Sequence, residues 1–223
     1  MAAPQSKTSK RGRITSELII EAALELSDSS IGLDAVTVRS LASKLDVGTM
    51  TLYGYFRSKD EILDAMADHV MGGFTVPAAE DETPEDAIRA VAEGFLHLMS
   101  EHPSVVHLLA TRVTRSQMSL RGAMEAVIQR LIDAGIPGPL AVECYGFLIQ
   151  HAMGFAAYQA PRRWGQDSDP EVDELRRQQQ HFYAALPAGD FPRVVELAES
   201  LVALPARSTY DFAVDALVQR VVR

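Results

Sequence analysis

Val36 to Leu63 reads VTVRSLASKLDVGTMTLYGYFRSKDEIL, and the spacing within it decides the fold. Thr37 has the character of an N-cap, and Val38, Leu41, Ala42 and Leu45 follow on one helical face. Asp46-Val47-Gly48 is a short turn, and Thr49 to Tyr55 is a short second helix. Ser58-Lys59-Asp60-Glu61 is a capping box, Ser at N-cap and Glu at N3, and it opens a helix carrying Ile62, Leu63, Met66 and Val70. Helix, three-to-four-residue turn and shorter helix is the helix-turn-helix layout. Any helical protein contains something like it, so the residues must sharpen it. Ala42 is small where two helices cross, Val47 packs under the turn, and Leu52 faces the core. Thr49, Thr51, Tyr53 and Tyr55 are then left outward. They are hydroxyl groups suited to phosphates and base edges, flanked by Arg39 and Lys59.

Working outward, the pattern stays helical. A helix from Thr15 places Leu18, Ile19, Ala22, Ala23 and Leu26 on one face and ends at Ser27 to Gly32. Thr83-Pro84-Glu85-Asp86 caps a helix to about Glu101, and Pro103 restarts one to about Thr111. Further helices are expected from Arg115 to Ala134, stopped by Gly135, and from Pro139 to just before Pro161. The last are expected from Asp169-Pro170 to Ala185, over about 192–203, and over about 208–222 with a Ser208/Asp211 capping box. No alternating strand pattern persists, so the fold class is all-α with about ten helices. The domain organisation is a disordered basic arm over 1–13, a helix-turn-helix domain over 14–60 and a helical domain over 61–223. Helix 59–73 connects the last two.

The 223 residues are 47% hydrophobic and 23% charged, enough to bury a real core. The single Cys144 excludes an intrachain disulfide and a multi-cysteine zinc site. No apolar segment follows the N-terminal basic residues, and the longest uncharged stretch, Cys144 to Pro161, contains Gln150, His151 and Gln159. The expected compartment is therefore the cytoplasm, with no membrane association. The net charge of −9 is unevenly spread. Lys7, Lys10, Arg11 and Arg13 give the first 16 residues +4, residues 1–60 sum to +1, and residues 61–223 to −10. A basic arm and near-neutral head on an acidic body remain compatible with DNA.

The run from Val36 to Leu63 resembles the DNA-binding signature of the TetR family of transcriptional regulators. The likeness lies in the helix, the turn, the Leu52-Tyr53-Gly54-Tyr55-Phe56 segment and the Lys59-Asp60-Glu61 start, and it covers about the first 70 residues. It implies that Thr37 and Arg39 meet the DNA backbone and groove edge. It also implies that Gly48, Thr49 and Met50 open the recognition helix against the bases, that Thr51 and Tyr53 bind phosphate, and that Tyr55 reaches the groove. Lys59 would hold a phosphate at the next helix N-terminus. Asp46 and Gly48 depart from the family's more frequent Gly and small polar residue, and Gly54 replaces a commonly larger one.

For the acidic half, the resemblance implies dimerisation and a small-molecule inducer, so that two heads read a palindromic double-stranded operator until the inducer changes their separation. His107 to Arg112 resembles the pocket segment of the tetracycline repressor, displaced by one residue, and suggests a C-terminal domain of that type. No histidine stands near Thr75, so the metal–tetracycline pocket is not implied. Phe95, Met99, His107, Arg112, Phe147, His151 and Phe155 are the candidate ligand residues. Phe147, His151, Phe155 and Tyr158 follow one helical stripe, which serves equally as core or as dimer interface. The helices over about 192–203, 208–222 and 139–160 are the dimer candidates. No catalytic residues, metal ligands or cofactors are expected. Paired Glu-x-x-His motifs, a nucleophile elbow and a Walker loop are all missing. A helical enzyme or adaptor using the acidic domain is the alternative, but it leaves the Arg39 to Lys59 constellation unexplained.

Overall fold

The computed structural model describes residues 14–29, 32–166 and 169–222; the basic arm over 1–13 lies outside them. Every regular element among the described residues is helical. The chain divides into a unit ending at Met66 and a unit beginning at Ala67, a boundary within one helix.

The first unit holds α1 (Ser16–Asp28), a 3-10 turn (Gly32–Ala35), α2 (Val38–Lys44), α3 (Thr49–Tyr53) and the first half of α4 (Lys59–Gly72). Local chemistry sets each start. Thr15 Oγ1 accepts from the Leu18 amide at 3.3 Å. Thr37 and Ser40 cap each other's backbone N–H groups reciprocally at the head of α2. Ser58 Oγ accepts the Glu61 amide at 3.1 Å, while the Glu61 carboxylate reaches one residue further back, to the Arg57 amide at 2.6 Å. Ile19, Leu41, Leu52, Phe56, Ile62 and Met66 form the buried centre. The buried face of α1 is turned by one position from expectation. Ile20 and Leu24 go inward, while Leu18 is 42% exposed. A helix this rich in Ala and Leu offers two apolar faces of similar width, and packing selects one.

The second unit carries α5 (Pro84–Glu101), α6 (Pro103–Thr111), α7 (Gln117–Ser119), a π-helical segment (Leu120–Glu125), α8 (Ala126–Asp133) and α9 (Gly138–Gln159). After a 3-10 turn (Arg163–Gly165) come α10 (Pro170–Ala184), α11 (Pro192–Glu196), α12 (Ala198–Val202) and α13 (Arg207–Val221). Thr83 and Asp86 form the expected capping box on α5, and Asp169 caps α10. Helices α5, α6, α8 and α13 pack on α9 around Phe95, Met99, Leu131, Cys144, Leu148 and Tyr210.

Three expectations change here. The helix expected over Arg115 to Ala134 begins at Gln117 and widens into π-helical turns at Leu120–Glu125. A Cβ at Gly122 would lie 2.6 Å from the Gly72 carbonyl oxygen, so the segment touches backbone there in a way only glycine permits. The helix expected over 192–203 breaks at Leu197, whose φ of −104° and ψ of 18° leave the α region. The Ser208/Asp211 capping box does not form. Ala206 occupies the cap position of α13, and Asp211 instead accepts from Arg207 Nε at 2.8 Å.

One buried ion pair ties the segment before α5 to α8. Arg130 Nε donates to Glu82 at 2.8 Å, a second guanidinium nitrogen donates to the other Glu82 oxygen, and Nη1 donates to the Val76 carbonyl at 2.7 Å. Both side chains are only 8% exposed. Arg130→Met strands a buried carboxylate and should cost about 3–5 kcal/mol, whereas Arg130→Met with Glu82→Leu should cost clearly less. Urea unfolding of the two variants checks this; equal losses would mean that the pair's geometry, and not the stranded charge, sets the cost.

Candidate nucleic-acid interface and effector region

The turn between α2 and α3 positions the first site. The Val47 amide donates to the Ala42 carbonyl at 3.0 Å and the Asp46 amide to the Ser43 carbonyl at 3.3 Å, the two bonds of a Schellman ending. Asp46 stands at its left-handed position, φ 52°. Glycine adopts that conformation at no steric cost, which accounts for the frequency of glycine there in the resembling family. Val47 is half-buried under the turn. Leu52 and Phe56 point inward, and Thr49, Met50, Thr51 and Tyr53 remain exposed, Met50 at 80%.

The flanking residues have different situations. The Thr49, Thr51 and Tyr53 hydroxyls have no partner among the described residues. Arg39 is exposed and pairs with no acid among them. Arg57, in the bend between α3 and α4, is likewise exposed and its guanidinium pairs with no acid among the described residues; in the sequence it is marked only by standing as a lone cation beside a capping serine. Thr37 spends its hydroxyl on the α2 cap. The half-buried Lys59 donates to the Leu33 carbonyl at 3.1 Å. Tyr55 donates to the Ile14 carbonyl at 2.6 Å. Gly48 is the exposed N-cap of α3 and offers no side-chain cap. The geometry therefore leaves Arg39, Thr49, Met50, Thr51, Tyr53 and Arg57 as uncommitted surface, while Thr37, Tyr55 and Lys59 are already tied to the fold.

Residues 19–66 match the family described as bacterial regulatory proteins, tetR family, and residues 76–218 match the tetracyclin repressor-like C-terminal domain. The chain belongs to the TetR family. It is 29% identical to the HTH-type transcriptional repressor DrrR1 of Streptomyces coeruleorubidus, over 83% of this chain and 69% of that protein. It is 31% identical to the HTH-type transcriptional repressor Rv1353c of Mycobacterium tuberculosis, over 65% of this chain and 57% of that one. The fold is shared with the TetR family protein ActR of Streptomyces coelicolor in complex with actinorhodin, at TM-score 0.76 and 24% identity, covering 95% and 98% of the two chains. As a member of this family of bacterial regulatory proteins, the chain is a transcriptional regulator and not an enzyme.

In the second unit the seven candidate ligand residues fall into separate settings. Phe95 and Met99 are sealed in the core, Phe95 stacked on Phe74 at 4.6 Å and edge-on to Tyr145. His107 is exposed, and Arg112 is half-buried with a partner of its own. Phe147, His151 and Phe155 converge on Tyr210 of α13. His151 stacks on the Tyr210 ring at 4.5 Å with Nε2 3.0 Å from the Tyr210 carbonyl, Phe147 stacks on His151, and Phe155 tilts against Tyr210. His151 and Phe155 thus pack α9 against α13, while Phe147 stays 39% exposed beside them. A cavity of about 320 Å³ beside Tyr210 is lined by Arg89, Glu93, Arg207 and Asp211, and two more lie away from this cluster. One of about 320 Å³ is bounded by Gly72, Phe74, Val76, Gly122, Val127 and Arg130. The other, about 460 Å³, runs along Val76 to Glu82 and α8. None of the seven lines either of these two, and Phe95 reaches the first of them only through Phe74. Among the described residues no cluster of His, Cys, Asp and Glu could hold a metal ion, and no helix is long and apolar enough to cross a membrane. Burial, and then the Glu143 charge, push the Cys144 thiol up, away from thiolate reactivity.

Tyr210 is fully buried and donates its hydroxyl to the Ala92 carbonyl at 2.7 Å. Burial pushes its phenol well above the usual value. The fold holds the neutral form, so Tyr210 contributes its full stability below the unfolded-chain pKa of about 10 and loses it as pH climbs beyond. Tyr210→Phe should cost about 0.5–1.5 kcal/mol at neutral pH through the lost hydrogen bond. The gap to wild type should narrow at pH values above about 10, which urea unfolding across that range would register; a constant gap would contradict the assignment.

Proposed function

We infer that the protein binds a palindromic operator in double-stranded DNA as a homodimer and is released from it by a small-molecule inducer. The observation that carries the DNA part is the exposed α3 face, with unspent hydroxyls on Thr49, Thr51 and Tyr53 between the unpaired cations Arg39 and Arg57. Met50 and Gly48 supply the apolar edge and close backbone approach that base contacts require. Thr37 and Lys59 act mainly by holding the α2 cap and the Gly32–Ala35 turn in register with that face. Lys59 keeps two further ammonium protons for phosphate.

Two-fold pairing supplies the second head that a palindrome needs. Helix α13 supports it. Tyr210, Val214 and Val218 are buried on one side, while Phe212 on another is 76% exposed. The neighbouring α9 presents Val142, Phe147 and Tyr158 at 39–53% exposure. Exposed aromatic surface on two adjoining helices suits a four-helix interface between copies.

For the inducer, the cavity of about 320 Å³ beside Gly72 is at the lower end of small-molecule sites, and it carries one guanidinium in apolar walls. It abuts Gly72 at the end of α4, the helix that continues from the first unit. Phe95 backs this wall through its stack on Phe74. A ligand that favours one position of α4 would change head spacing by its difference in affinity for the two states.

Gel-shift titration against DNA upstream of the protein's own gene should give a discrete complex that weakens steeply with salt. Arg39→Ala should lower the salt slope by roughly one unit, and Tyr53→Phe should weaken all sequences alike; unchanged affinity in both would remove them from the interface. Phe212→Glu should shift the protein to monomer in sedimentation and abolish palindrome binding, and a dimeric F212E protein would move the interface elsewhere. Val127→Trp should keep operator affinity yet no longer be released by compounds that release wild type. Normal release would place the inducer outside this cavity.

A further inference from the structure

Val76, Ala126 and Arg130 line both the cavity of about 320 Å³ beside Gly72 and the cavity of about 460 Å³ along α8, so the two adjoin at those residues. Their chemistry differs. The smaller is walled by Phe74, Pro77 and Val127 and has no acid among its lining residues. The larger carries Asp81, Glu82 and Asp133, with Arg130 as the one cation among its lining residues. Arg130 is already spent. It donates to both Glu82 oxygens and to the Val76 carbonyl, and the side chains of the pair are 8% exposed. The pair is neutral as a unit and holds the stretch 76–82 on α8, so the junction between the cavities is formed before a ligand arrives. Asp81 and Asp133 are left over. Both are exposed, neither joins an ion pair among the described residues, and Asp133 accepts a neutral amide from Gln129 at 2.7 Å. The surplus charge at this end is therefore negative, within a part of the chain, residues 61–223, that sums to −10. Such a field draws cations and repels anions. The smaller cavity alone stands at the lower limit of small-molecule sites, and the two together fall well inside their range.

We propose that the two cavities form one site whose ligand is an elongated amphipathic amine, with an apolar ring system against Phe74 and Val127 and a protonated nitrogen at the end lined by Asp81 and Asp133. This deepens the inducer reading above and rests on it for the effect on DNA. The division of labour follows from the walls. Apolar surface gives the ring system its affinity, and the two unpaired carboxylates select the charge of the other end. A ligand with an anionic end meets three carboxylates, and the one guanidinium beside them is already neutralised by Glu82.

The test titrates the full chain in a calorimeter at neutral pH with three probes of one shape: naphthylethylamine, naphthylethanol and naphthylacetate. The amine is protonated there, as a lysine with its pKa of about 10.4 would be. It should bind roughly tenfold more tightly than the alcohol, since each exposed charge pair contributes up to about a factor of five, and the acetate should bind most weakly. Butylamine, which has the charge without the rings, should bind far more weakly than naphthylethylamine. Asp81→Asn with Asp133→Asn should bring the amine to the affinity of the alcohol and leave the alcohol unchanged. Asparagine tolerates the left-handed backbone at Asp81, φ 56°, and neither substitution touches the buried pair, so urea unfolding should stay near wild type. Naphthylacetate binding as tightly as the amine overturns the proposal, as does an amine preference that survives the double substitution. Butylamine matching naphthylethylamine, or no binding by any probe, overturns it equally. The effect on DNA is read separately. An amine that binds as expected but leaves the gel-shift complex intact would strike the inducer reading and leave the site standing.

Discussion

The left-handed step at Asp46 is the constraint on which the DNA-facing half depends. An α-helix running on from Lys44 would carry Thr49 and Tyr53 along the direction of α2. Two backbone bonds, Val47 to Ala42 and Asp46 to Ser43, close that helix and turn the chain within three residues. Leu52 can then enter the core shared with Leu41 and Ile19, and the rest of α3 is left outside by default. The five residues of α3 are too few to form a stable helix alone. Their shape is imposed by the turn before them and by Leu52 and Phe56.

The larger unit uses buried polar groups as fixed points between distant segments. Tyr210 joins α13 to α5 through the Ala92 carbonyl, and its own carbonyl meets His151 of α9. Arg130 holds both Val76 and Glu82 against α8. Each would be costly if unpaired, so each penalises any alternative packing that separates its partners. The apolar contacts around Phe95 and Leu148 supply most of the burial but little of this selectivity. The exposed ion pairs, such as Arg89 with Asp215 and Arg207 with Glu93, add little to stability because water screens them.

Much of this was legible in the sequence, for a physical reason. The caps at Thr37, Ser58, Thr83 and Asp169 act within three residues, and the stops at Asp46 and Gly135 within five, so local order carries them. What was not legible depends on distant contact. The inward face of α1 was missed by one position because Leu18 and Leu24 are chemically equivalent until a partner arrives. The π-helical segment answers to Gly72, fifty residues away from Gly122. Periodicity grouped Phe147, His151 and Phe155 correctly but could not name Tyr210 as what they meet. The partner of the Tyr55 hydroxyl is hidden in the same way, since nothing near Tyr55 in sequence points to Ile14.

The wide turns at Leu120–Glu125 have one more consequence. A π-helical stretch accommodates an extra residue without lengthening the helix in proportion, so the residues before and after it are out of phase by about 100°. Gln117–Ser119 and Ala126–Asp133 share an axis but answer to different neighbours. The first part sits over Gly72 through Met118, and the second inserts Val127 and Leu131 into the core. One rod thus behaves as two keys cut at different angles, and substitutions on either part can be accommodated without turning the other.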